Sequence, residues 1–447
     1  MSDGDTSDPA ETVELLQHLI RNACVNDGTV GSGHEARSAA LLADYLGVRG
    51  LDADRFEPAP GRESLVARIE GSDPSAPTMV WLAHTDVVPV NADRWRHDPF
   101  GGELIDGEVW GRGAVDMLNL TASMAVAFKR LADGGFAPRG SLVFVGVADE
   151  EAAGTYGADH LVSHEWEAVA GDYVLTESGG IPIPTPAGIA LPVIVGEKGC
   201  YWCRLRVRGT PGHGSRPYRT DNALVKAAAV VARLDAHVPE TMIHDTFERF
   251  VDALGLPDEL RQQLRTPDGL RDALGALPVG MARELHACTH LTMAPTVVHG
   301  GVKTNVIPDV VELDVDIRTL PGQTPSQAHA VLVEALGDLA VDVEIEPVVV
   351  DPATASPTDT PMWDALARAT QRWYPGSRTV PYLSVGATDA RFFRRAGAVG
   401  YGFGLFSERM RFEDFGAMFH GDDERVDIES LALSTDLWEA VARDVLA

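Results

Sequence analysis

Thr78-Met-Val-Trp-Leu-Ala-His84-Thr-Asp86 is an apolar run of strand length that stops on a histidine and an aspartate two residues apart. Apolar residues without alternation predict a strand covered on both faces, the kind found in α/β layer structures. Ser141-Leu-Val-Phe-Val-Gly-Val-Ala148 repeats the pattern and stops on Asp149-Glu150-Glu151, and Asp172-Tyr-Val-Leu-Thr176 stops on Glu177. Helical stretches separate these runs: Thr12 to Leu46 reads as helical, and Thr121–Ala132 as a helix rich in small residues. The alternation gives an α/β fold with a mixed sheet flanked by helices.

The pattern changes near Val195. Cys200–Gly209, Val310–Arg318 and Leu339–Pro347 alternate apolar with charged residues, as strands solvated on one face do, and a helix is expected over Asn222–Leu234. A Pro/Thr/Ser/Asp-rich stretch at 352–361 closes this segment, after which α/β character resumes. The expected organisation is one catalytic, metal-binding domain from residues 1–195 and 351–447, interrupted by an α+β domain at 196–350. A helical stretch at 240–288, with leucines at 254, 256, 260, 264, 270, 274 and 277, falls inside the insert. Packing on the insert is its first reading, covering an apolar acyl group its second.

The 447 residues are 45% hydrophobic and 23% charged, a globular balance, with a formal net charge of −29. That charge repels phosphate backbones and anionic lipid, so neither nucleic acid nor a membrane surface is expected as a partner. No apolar run approaches the roughly 18–20 residues of a membrane span. An acidic, polar start lacks the look of a secretion signal, and a cytoplasmic protein is expected. Four cysteines are too few for a disulfide framework in a chain of this length. Cys200-Tyr-Trp-Cys203 has redox or zinc spacing, but it lies in a strand with no second pair, so packing is the better reading.

Strand ends that carry metal-capable side chains are the informative feature. His84 and Asp86 lean to one face of an extended chain, where a carboxylate can orient an imidazole. Trp110-Gly-Arg-Gly-Ala-Val-Asp116 is a flexed loop ending in one aspartate, and Met418-Phe-His420-Gly-Asp-Asp-Glu424-Arg425 brings a second histidine from near the C-terminus. Ligands of α/β folds gather at the carboxyl edge of the sheet. Imidazole plus carboxylate without thiolate suits zinc, cobalt or manganese in a catalytic site, and the number of carboxylates suggests two ions. His286-Ala-Cys-Thr-His290 has ligand spacing but no acidic residue inside it, so it is set aside as structural. The chain has neither a G-x-S-x-G elbow nor a P-loop nor G-x-G-x-x-G, which removes serine hydrolases and common nucleotide-binding enzymes.

Five motifs also carry a resemblance: His84-Thr-Asp86, Gly111-Arg-Gly-Ala-Val-Asp116, Asp149-Glu150-Glu151, Gly209-Thr-Pro-Gly-His213-Gly-Ser215 and His420-Gly-x-x-Glu424-Arg425. In this order and approximate spacing they resemble the M20 metallopeptidase family, whose members include aminoacylase-1, carboxypeptidases and succinyl-diaminopimelate desuccinylase. The resemblance implies a zinc-peptidase-like catalytic domain and a lid or dimerisation insert. It implies that Asp116 bridges two divalent metals, with His84 and Glu177 at one and Glu151 and His420 at the other. Asp86 would support His84, and Glu150 would serve as general base and then general acid. His213, from the insert, would stabilise the oxyanion, after lid closure or from the partner of a homodimer. Asn305, Arg318 and Arg391 resemble substrate-holding residues, with Arg391 facing a substrate carboxylate. The implied activity is two-metal cleavage of an N-acyl amino acid or small peptide. A desuccinylase-type deacylase is the alternative, and a catalytically inactive binding protein on the same fold the non-enzyme one.

Overall fold

The computed structural model describes residues 6–47, 53–277 and 279–447. Strand Met79–His84 is buried at every residue and pairs in parallel with Leu142–Val147 on one side and Tyr173–Thr176 on the other. Val399–Gly402 continues the parallel set beside Tyr173–Thr176. Antiparallel strands extend both sides, Ala53–Ala59 and Arg62–Ile69 on one, Gly188–Glu197 and Thr354–Ala355 on the other, within a ten-stranded mixed sheet. Because the central strands run in one direction, their carboxyl ends put His84, Glu150 and Glu177 along one edge.

Helices bury the faces of this sheet. In Leu118–Asp133, Ala122, Ala125 and Ala127 are buried, and small side chains let a helix lie close to its neighbours. The C-terminal helix Ile428–Val445 seats Trp438 against Trp81, ring centroids 6.0 Å apart, and the Trp438 indole N–H donates to Ser123 Oγ at 2.9 Å. Burying an aromatic pair while satisfying its polar edge is a strong tie between distant parts of a chain. Both chain ends thus build one layer structure.

The alternating runs form a separate four-stranded antiparallel sheet in the order Thr292–Gly300, Val310–Thr319, Gly199–Arg208, Val343–Asp351. Helices Ala223–Ala236 and Pro325–Leu336 share a core with its apolar face, and each starts at a side-chain cap, Asn222 and Thr324. The opposite face carries ion pairs such as Arg204–Asp314 and Arg206–Glu312. The architecture is therefore the expected α/β sheet with helices and an inserted α+β layer.

Three expectations change in detail. Thr12–Leu46 is two helices, Ala10–Asn22 and Ala36–Leu46, broken after Ala23 adopts a left-handed conformation at φ 48°. The strand expected from Leu339 starts at Val343, because Gly337–Asp342 is a 3-10 helix. The stretch at 240–288 does not pack on the inserted sheet: Phe247, Phe250, Val251 and Leu285 form a core with Ala190, Ile194, Val380 and Tyr382 of the large sheet. Its leucines reflect that second core. Among the described residues no helix is long and apolar enough to cross a membrane. All four cysteines are free and buried, and burial pushes the Cys203 thiol up to about 11, so it stays protonated and inert.

Candidate metal centre

His84 ends the central strand with its ring fixed from two sides. Its Nδ1–H donates to the Asp86 carbonyl at 3.0 Å, which aims Nε2 at Asp116 Oδ1, 3.1 Å away, with Glu177 Oε2 at 3.9 Å. Thr121 Oγ1 donates to the His84 carbonyl at 2.7 Å, anchoring the strand end to the following helix. On the other side of Asp116, His420 Nε2 lies 3.3 Å from Oδ2 and 3.2 Å from Glu151 Oε2. Two donor triads result, His84–Asp116–Glu177 and Asp116–Glu151–His420, with the ligand atoms of each within 4.8 Å of one another. Asp116 belongs to both.

The loop presenting Asp116 is organised by Glu424, four residues beyond His420. Its buried carboxylate accepts the backbone N–H groups of Gly113, Val115 and Asp116 at 3.0, 2.6 and 2.9 Å, and Arg112 Nη1 at 2.8 Å. Asp86 lies beside the His84 ring and has further partners. Its carboxylate is 3.7 Å from His84 Nδ1 and accepts the N–H groups of Glu150 and Glu151 at 3.2 and 3.1 Å and Asn26 Nδ2 at 2.8 Å. Asp149, left-handed at φ 69°, bends the chain so that those two amides converge. Behind it, Arg62 pairs with Asp149 and Glu35, and Asn26 bridges Asp86 to Asp149. Sequence reasoning missed Asn26, Glu35 and Arg62, which sit in no chemical motif.

Negative charge is concentrated in this cluster. Burial pushes the carboxyls of Glu150, Glu151 and Glu177 up, Glu151 to about 7, and neighbouring carboxylates add to each rise. Burial would also raise Asp116, but hydrogen bonds from His420 and His84 hold it below the usual carboxylate range. The same contacts to Asp116 and Glu151 push His420 up to about 10. Glu151 Oε1 is buried with no hydrogen-bond partner. Crowded acidic oxygens, an orphaned donor atom and two imidazole Nε2 atoms fit divalent cations, which would replace those protons and neutralise the carboxylates. A dinuclear metal-binding cluster is present.

Of the remaining expected residues, His213, Asn305 and Arg318 lie on the insert and Arg391 lies behind the turn that carries Glu150. His213 and Asn305 are exposed on a two-stranded ribbon of the insert, where His213 pairs with Val306 and Gly214 N–H donates to the Asn305 carbonyl at 2.8 Å. His213 Nδ1 accepts the Ser215 amide at 3.1 Å, so the neutral ring carries its proton on Nε2. Arg318 holds Asp316 through Nε and Nη2 and lies over the Trp202 ring at 5.3 Å. Arg391 does not present a free fork for a substrate carboxylate. It is 3% exposed, and Nε, Nη1 and Nη2 donate to Asp351, Thr388 and Ala153.

The profile described as Peptidase family M20/M25/M40 matches residues 80–444. An N-fatty-acyl-amino acid synthase/hydrolase of Xenopus tropicalis is 29% identical over 83% of this chain and 73% of that protein. Aminoacylase-1 of Sus scrofa is 26% identical over 91% of this chain and 90% of that protein. Among solved structures, an M20 family metallo-carboxypeptidase from Sulfolobus solfataricus superposes with a TM-score of 0.70 at 16% identity, covering 98% of this chain and 99% of that one.

Proposed function

Since the chain belongs to peptidase family M20/M25/M40, we propose that it hydrolyses the amide bond of an N-acyl amino acid or small peptide at a two-metal site. The observation that carries this reading is the pair of donor triads sharing Asp116. Asp116 would bridge the ions, with His84 and Glu177 completing one site and Glu151 and His420 the other. Two divalent ions, zinc with cobalt or manganese as the other candidates, would polarise a carbonyl and lower the pKa of a water.

The chain's own groups do the rest. Glu150 takes the proton that water loses on attack and delivers it to the departing nitrogen, so amide plus water becomes carboxylic acid plus amine. Burial raises its carboxyl, offset in part by His84. Asp86 holds the Glu150–Glu151 amides and the His84 end of the strand in register. His213 would donate a hydrogen bond from Nε2 to the carbonyl oxygen as that atom gains charge, keeping its proton. Asn305 and Arg318, on the same inserted layer, hold the substrate. For the acyl group, the likeness to an N-fatty-acyl-amino acid hydrolase and to aminoacylase-1 supports an N-acyl amino acid first.

Residues 196–350 would act as lid and dimerisation domain of a homodimer. Supporting this, Thr292–Gly300 is an outer strand of the inserted sheet, and Val297 and Val298 are exposed on it. An open, apolar strand edge invites pairing with a second copy.

The test is a screen of N-acyl amino acids and dipeptides with added zinc, cobalt or manganese, run on the wild type and Glu150→Gln. Hydrolysis should fall by about a thousandfold or more in the variant while its metal content is retained. Equal rates would overturn the assignment of Glu150.

A further inference from the structure

The chain leaves the large sheet for the inserted one at 197–199 and returns at 351–354. One short helix, Ala390–Arg395, is bonded to both passages. Arg394 Nη1 donates to Glu197 Oε1 at 2.6 Å, at the outward passage. Arg391 Nε donates to Asp351 Oδ2 at 2.8 Å, at the return, where Arg395 also pairs with Asp351. Asp351 is the last residue of an inserted-sheet strand and pairs with Cys200 in the next one.

Arg391 reaches in a second direction. Nη2 donates to the Ala153 carbonyl at 2.9 Å, and Nη1 to the Thr388 carbonyl at 2.6 Å. Ala153 closes the turn that carries Glu150 and Glu151, a turn in which Asp149, Ala153 and Gly154 all have positive φ, 69°, 78° and 71°. Residues with a Cβ adopt this conformation only at a cost, so bonds from outside must hold the turn. Asp86 holds its front amides, and Arg391 holds its rear carbonyl. Asp389 sits against the same turn: its carboxylate is buried without a hydrogen bond, 3.8 Å from Arg391 Nη1.

We propose that Arg391 is a positioning residue that transmits the placement of the inserted sheet, through Asp351, to the turn carrying Glu150. Every guanidinium nitrogen already has a protein acceptor, so three of its five N–H groups are committed to the bridge. A bidentate fork is needed to span Asp351 and Ala153, and lysine, a single point donor, cannot do so. The importance of the turn rests on the reading of Glu150 above. The bridge itself does not.

Hydrogen exchange read by mass spectrometry on the full chain tests it without a substrate. Amides of Glu150, Glu151, Ala152, Ala153, Gly154 and Tyr156 are all hydrogen-bonded within or beside the turn. In Arg391→Lys and in Asp351→Ala these amides should exchange about tenfold faster, while strand Leu142–Val147 keeps its protection. Should Arg391→Lys fail to fold, Asp351→Ala decides alone, being at the far end of the bridge. Unchanged exchange across 150–156 in Asp351→Ala overturns the proposal. With any substrate found in the screen, both variants should lower kcat and leave KM unchanged. A KM rise confined to substrates with a free carboxylate, in Arg391→Lys only, would instead return Arg391 to a substrate role. Failure of the Glu150→Gln test would remove the catalytic reading and leave the exchange result standing.

Discussion

Glu424 accepts four hydrogen bonds from the loop that ends in Asp116, and it does so from the far end of the sequence. Replacing it by glutamine turns one acceptor oxygen into a donor facing backbone N–H groups and leaves Arg112 without its charge partner. Glu424→Gln should lower stability by about 3 kcal/mol in urea unfolding of the chelated protein. It should weaken metal binding by roughly 10–100-fold in a titration, as loss of a residue that orients ligands does. Unchanged metal affinity would mean the loop holds its shape alone. Glu424 lay inside a motif visible in the sequence, yet what it holds was not, because its partners are 308 to 312 positions away. Asn26, Glu35 and Arg62 gave no signal, since a lone asparagine or arginine looks the same whether it meets water or a buried carboxylate. Apart from His420, which follows helix Phe412–Met418, the ligand candidates drew notice for the opposite reason: they interrupt an apolar strand or glycine loop near its end, where polarity has no packing explanation.

At the level of elements, the turn after strand Leu142–Val147 depends on Gly154. Its φ is 71°, and an added Cβ would lie 2.6 Å from Asp389 Oδ1. Gly154→Ala should therefore cost about 1–3 kcal/mol in thermal or urea unfolding, more than a surface substitution of this size. A change below about half a kcal/mol would show that the turn relaxes freely. Helix Val279–Thr289 ends beside a different device. His290 Nδ1–H donates to the His286 carbonyl at 3.0 Å, and Nε2 lies 2.8 Å from Thr241 Oγ1. Burial, then His286, push its pKa down to about 4. The unfolded ring protonates near 6.5, so its contribution to stability is whole above about pH 6.5 and is lost as pH falls toward 4. His290→Gln should flatten the fall in stability between pH 7 and 4.5, measured on chelated protein so that the metal ligands titrate alike in both. An identical slope would refute it. The sequence identified these histidines as structural without revealing their partners. It also read the leucines of 240–288 correctly as core-forming but assigned them to the nearer sheet, because periodicity tells that a face is buried and not which surface buries it.

Over the whole molecule, the sequence disclosed an α/β layer and an inserted α+β layer, since continuous and alternating apolar patterns differ in kind. The surface of the inserted sheet makes a further prediction. Val298 is 60% exposed on the outer strand Thr292–Gly300. If copies pair there, Val298→Lys should shift the protein from dimer to monomer in sedimentation velocity without altering its melting temperature at low concentration. A dimer of unchanged affinity would place the contact elsewhere. One consequence follows from the position of Val399–Gly402, which lies between Tyr173–Thr176 and Gly188–Glu197. A ribosome must release most of the polypeptide before this seam can be filled. During translation the nascent chain carries a gap through its middle, open to wrong partners, so chaperone supply should govern the yield of active protein in a heterologous host.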